Sequence, residues 1–166
     1  MNPMQEKITE IAEQITGNLG LLLIEASLRG DDRERIIEIY VDSLKGVSVD
    51  ECANLSHEIT SVIEQTSLIT SKYHLDVSSP GIERPLKFLE QYPKHLNRKF
   101  ELELIEPLFP EDAPDIAGTT ISITGKLLKL EGGVLTFSLN NKEININFNN
   151  IKTAKVLSVF DYGGKY

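Results

Sequence analysis

The spacing of apolar residues changes once along this chain, and a proline-glycine corner stands at the change. Before "VSSPGIERPL" (Val77–Leu86) apolar side chains recur at both helical and alternating intervals. After it only the two-residue alternation of strands continues. Such a pattern predicts α+β architecture, with a helix-bearing first domain over 1–89 and an all-β second domain over 90–166. Two small domains fit within 166 residues. The boundary is expected near Leu89–Lys94.

In the first domain, Ile8, Ile11, Ala12, Ile15 and Leu19 fall on one face of a helix. Pro3 suits its first turn, and Gly17 and Gly20 supply stop signals. Two strand-like runs follow, "LLLIEASLR" and "RIIEIYVDS", split by the polar "GDDRE". Strict alternation puts Leu22, Ile24, Ala26 and Leu28 on one face of the first strand, and Arg35, Ile37, Ile39 and Val41 on one face of the second. "VSVDEC" then announces a second helix. Ser48 can accept from the Glu51 amide while the Glu51 carboxylate reaches back to the Ser48 amide, with Val47 set to pack on Cys52. Cys52, Leu55, Ile59, Val62 and Ile63 form its apolar stripe, and "YHLDVSS" reads as a third strand. The order α-β-β-α-β predicts a two-layer unit with two helices on one face of a small sheet.

Beyond the corner, "KFELELI", "TISITGKLLKL", "VLTFSL", "EININF" and "AKVLSV" are five strand candidates. Phe100, Leu102, Leu104, Leu135, Phe137, Leu139, Ile144, Ile146 and Phe148 take the inward positions. Five short strands with turn glycines predict a small closed barrel, and Gly125 fits a sharp bend in the longest run. The segment 106–118, rich in proline and acid, reads as a long loop between the first two strands, and "DYGGKY" as a frayed tail.

Charge separates the halves. Up to Leu89 there are 8 basic and 15 acidic side chains; beyond it there are 9 and 10. An acidic surface repels phosphate backbones and attracts cations, so the first domain suits a basic protein partner. No apolar run approaches the roughly 20 residues of a membrane span, and "MNPMQEKITE" lacks a basic flank before an apolar block. A single cysteine, Cys52, accords with a reducing compartment. A cytoplasmic location without membrane contact is expected.

The sequence brings no set of catalytic or metal-binding groups together. His74, Asp76 and Ser78 alternate along one strand, but a triad needs histidine between serine and acid, and along a strand His74 and Ser78 stand roughly 13 Å apart. Cys52 and His57 lie about 140° apart around a helix, and no paired cysteine or histidine spacing occurs, so no metal site is expected. Asp31, Asp32 and Glu34 are explained by a hairpin turn. "GNLG" (Gly17–Gly20) would join a helix to a strand and contains no basic residue, unlike the loop of a KH domain. No catalytic residue and no cofactor is assigned.

The corner remains. Ser79-Pro80-Gly81-Ile82 has proline where a type II turn fixes φ and glycine where it requires positive φ. Pro85 suits the first turn of a short helix containing Leu86 and Leu89. A rigid corner would hold Ser78, Ser79, Pro80, Gly81, Glu83, Arg84 and Pro85 as a hinge and a candidate partner-binding surface.

At these residues the chain resembles a known family. "LDVSSPGIERPL" is similar to the signature "EVSSPGLDRPL" of the RimP ribosome maturation factors, with Ile82-Glu83 in place of Leu-Asp. "YVDSLKGVSVDECANLSHEI" resembles the family segment "Y.D...G...DDC...S...", and the likeness extends to "GKLLKLEGG" and "NIKTAKV". The resemblance implies an α-β-β-α-β domain followed by an Sm-like (SH3-like) barrel. It further implies a cytoplasmic assembly factor that matures the small ribosomal subunit without nucleotide hydrolysis or cofactor. Its partners would be the immature subunit and a basic small-subunit ribosomal protein, met by a monomer of this chain. Arg98, Lys99, Lys126, Lys129, Lys152 and Lys155 are the candidates for contact with ribosomal RNA. The alternative is a free-standing RNA-binding regulator whose barrel grips single strands.

Overall fold

In the computed structural model, residues 2–108 and 121–158 are described. The expected loop 106–118 and the tail "DYGGKY" fall mostly or wholly outside them. The chain divides into two compact units that part between Pro80 and Gly81, ahead of the Leu89–Lys94 expectation. Leu86 and Leu89 pack with the core of the second unit, which is why the division comes early.

The first unit runs α1 (Pro3–Asn18), β1 (Leu22–Gly30), β2 (Glu34–Asp42), α2 (Val49–Thr66) and β3 (Lys72–Ser78). Asn2 caps α1 by accepting from the Gln5 amide at 2.8 Å, and Pro3 opens the helix. Ile8, Ala12 and Ile15 are buried along it, whereas Leu19 becomes the C-cap and stays 42% exposed, off the expected face. The capping box of α2 forms as read: Glu51 N donates to Ser48 Oγ (3.1 Å) and Ser48 N to Glu51 Oε1 (3.0 Å). A cap contributes about 1 kcal/mol. Full burial of Leu55, Ile59 and Ile63 contributes roughly 1.5–3 kcal/mol each. The box therefore sets where α2 starts, and the stripe fixes it to the sheet.

The sheet order is β1-β2-β3, with β1 antiparallel and β3 parallel to β2. Both helices contribute to one core with Ile37, Ile39 and Val41 of the central strand. The alternation expected for β1 is broken by a bulge. Leu23 stands opposite Val41 and Glu25 opposite Tyr40, so Ile24 is an extra residue. Leu23, Ala26 and Leu28 pack against this core, while Ile24 is buried (6% exposed) without joining it and Leu22 is half-buried. Asp31 closes the hairpin by accepting from the amides of Arg33 (2.9 Å) and Glu34 (3.3 Å), while Asp32 pairs with Arg35 (2.7 Å) and Glu34 with Lys72 (3.9 Å).

The second unit carries β4 (Lys99–Leu104), β5 (Ser122–Glu131), β6 (Val134–Leu139), β7 (Lys142–Asn147) and β8 (Ile151–Val156) in one antiparallel sheet of order β7-β6-β5-β4-β8. Adjacent in sequence, β7 and β8 occupy opposite edges. Four residues from Asn147 to Ile151 reach at most about 14 Å. Four strand spacings across a flat sheet would need about 19 Å. The sheet must curl. Its concave side holds Phe100, Leu102, Leu104, Leu127, Leu135, Phe137, Ile144 and Ile146, with Tyr92 stacked on Phe100 at 5.6 Å. Gly125 fits its place through close approach: a Cβ there would meet Leu139 Cδ1 at 2.5 Å and the Ser138 carbonyl at 3.1 Å.

Candidate functional site

The corner residues divide between the two units. On the first, Ser78 ends β3 opposite Tyr40 and is exposed, Ser79 is exposed, and Pro80 is half-buried. His74 and Asp76 share the outward face of β3 and pair at 3.2 Å between Nε2 and Oδ1, both well exposed. That pair has no buried base and no enclosed nucleophile, so it offers none of the geometry of nucleophilic catalysis.

On the second unit, Gly81 takes φ +66°, the positive value the corner requires. The turn residues are 81–83, one position beyond the centre expected for Ser79–Ile82. Glu83 and Pro85 are exposed and Arg84 is half-buried. The short helix expected from Pro85 does not form there. Leu86 donates its amide to the Ala154 carbonyl of β8 (2.8 Å) and buries its side chain in the core, so residues 85–87 run irregular. The first helical turn is the 3-10 turn Leu89–Gln91.

Gln91 was not legible as a site residue. It is fully buried, and its Oε1 accepts from the amides of Lys87 (2.7 Å) and Phe88 (2.8 Å). One side chain thus fixes the path by which the corner enters the second unit. Its only signal in the sequence is a glutamine three residues past Phe88, with nothing to announce its burial.

Register reorders the basic residues. Along the chain Arg98 adjoins Lys99, and Lys126 and Lys129, like Lys152 and Lys155, stand three residues apart. In the sheet, Lys99 stands directly opposite Lys126 across β4 and β5, while Lys155 stands opposite Glu101 and Lys152 lies 3.5 Å from Glu103. Lys129 is bound to Glu131 at 2.9 Å. That hydrogen bond and charge raise the ammonium pKa and lower the carboxylate pKa. Arg98 lies 3.4 Å from Nδ1 of the buried His95. Of the six candidates, Lys99 and Lys126 are therefore the ones the fold places side by side. Among the described residues 81–108 and 121–158 there are 10 basic and 7 acidic side chains, so this part of the second unit is positive.

Burial, and secondarily the Glu51 charge, raises the pKa of the Cys52 thiol, which disfavours a reactive thiolate. Among the described residues no group of three or more His, Cys, Asp or Glu could hold a metal ion, and no helix is long and apolar enough to cross a membrane.

The family match covers the first unit almost from end to end, from within α1 to the turn after β3. Residues 11–83 match the family model of the RimP N-terminal domain, and the first unit of this chain is a RimP N-terminal domain.

Proposed function

We propose that this chain is a non-enzymatic chaperone for assembly of the small ribosomal subunit, acting in the cytoplasm as a monomer. The match to the RimP N-terminal domain over residues 11–83 carries this reading. The acidic first unit would meet a basic small-subunit ribosomal protein, where opposite charge speeds encounter more than it tightens the complex. The second unit, closed as an Sm-like barrel, would bring Lys99 and Lys126 to ribosomal RNA. The curl of its sheet supports that closure.

A ligand shifts an equilibrium only by its difference in affinity between two states. A maturation factor must therefore bind the unfinished subunit more tightly than the finished one, and release follows once that difference disappears. Depleting the chain from growing cells tests the reading. Free small subunits with unprocessed ribosomal RNA should accumulate while large subunits stay normal. Subunit profiles unchanged by depletion would refute it.

A further inference from the structure

One edge of the first unit is built to accept a strand. β3 pairs with β2 on one side, and among the described residues no strand pairs with its other side. A groove of about 480 Å³ runs beside that edge, bounded by Ser56, Thr60 and Glu64 of α2, by Ser71, and by Lys72, Tyr73, His74 and Leu75 of β3, with the Lys72 ammonium engaged 3.9 Å from Glu34. The helical residues are four apart, so they form one polar stripe parallel to the groove. A free strand edge flanked by a helix is the setting in which an extended segment adds to a sheet.

Packing and charge indicate what would fill it. Tyr73, Leu75 and Val77 are only half-buried, whereas Ile37, Ile39 and Val41 on the adjoining strand are fully buried. The core thus thins towards β3, and an added strand would cover it. α2 carries Asp50, Glu51, Glu58 and Glu64 with neither lysine nor arginine. Glu64 is exposed in the last turn, where the negative end of the helix dipole disfavours a carboxylate. A cation docked beside it would offset that local cost. Edge-to-edge pairing of two copies is opposed by the net charge of −8.

We infer that the outer edge of β3 captures an extended, lysine- or arginine-rich protein segment as a fourth strand, with its cations beside Glu64. The inference rests on the proposed function only for the partner's identity, because the groove itself is read from the first unit alone.

The test is an amide-resolved NMR titration of the full chain with a short capped peptide alternating lysine and valine, against a capped oligolysine of equal charge. The alternating peptide should shift and protect amides along Lys72–Ser78 and near Thr60, and should bind at least about tenfold more tightly than oligolysine. Thr60→Arg, which fills the groove, and Glu64→Lys, at an exposed position, should each weaken binding at least about tenfold while the unfolding midpoint is held. Equal binding of the two peptides, binding away from β3, or full affinity in the folded Glu64→Lys variant would each overturn the inference. So would concentration-dependent shifts of β3 without peptide, which would assign the edge to a second copy. Sedimentation with immature small subunits separates the two proposals. Wild-type chain that fails to co-sediment refutes the assembly reading, whereas Glu64→Lys that co-sediments like wild type refutes only the strand-capture site.

Discussion

Lys99 of β4 and Lys126 of β5 are direct partners in an antiparallel ladder, two like charges held across adjacent strands. Such a pair is unfavourable in the sheet itself, and a phosphate between the two ammonium groups would relieve it. Replacing Lys126 by glutamine should therefore raise the unfolding midpoint slightly and weaken binding to immature subunits, with the salt dependence reduced by about one unit of slope. Urea unfolding and sedimentation over a range of salt check both. Unchanged affinity would remove this pair from the RNA contact. Tight binding to naked single strands would favour the regulator alternative.

Gly125 is required by space. Around its missing Cβ stand Leu139 Cδ1 (2.5 Å), the Ser138 carbonyl (3.1 Å) and Phe137 Cβ (3.3 Å). Leu139 can rotate, but the carbonyl and the Phe137 Cβ move only with the strand. Gly125→Val should cost about 1–3 kcal/mol through overpacking, and Gly125→Ala less. Equilibrium urea unfolding of the two variants measures this, and wild-type stability in Gly125→Val would contradict the close approach.

Gly81 presents the opposite case, with φ +66° and nothing within 4 Å of the place a Cβ would occupy. Its substitution should cost only backbone strain, about 1–2 kcal/mol for valine, and less for asparagine, which tolerates that region. A valine variant as stable as wild type would disprove the left-handed corner.

Tyr92 is fully buried, and its hydroxyl has no hydrogen-bond partner among the described residues. Tyr92→Phe keeps the stacking on Phe100 and removes an unsatisfied group, so stability should hold or rise by on the order of 1 kcal/mol. Burial raises the phenol pKa above its ordinary value. Because the folded-state pKa is the higher one, the contribution of Tyr92 is complete below the unfolded-state value near about 10 and is lost as pH rises beyond it. The phenylalanine variant should accordingly lose less stability under alkaline conditions, as thermal melts across that range would record.

How much of this was legible in the sequence depended on the range of the interaction. The Ser48–Glu51 capping box and the stripe Leu55, Ile59, Ile63 were legible because each lies within a few residues of chain. The inward Phe100, Leu102 and Leu104 followed from plain alternation. Ile24 defeated that alternation because a bulge is set by the partner strand. Pro85 predicted a helix that the Leu86–Ala154 bond, spanning the whole second unit, overrode. The basic candidates are visible in the sequence as residues, but their cross-strand neighbours are not. Facing Lys99 with Lys126 takes a register that no local spacing reveals.

The most direct measurement of the central claim is sedimentation of purified chain with immature and with mature small subunits at one salt concentration. The account predicts co-sedimentation with the immature particle and at least about tenfold weaker association with the mature one. Equal association with both would contradict it.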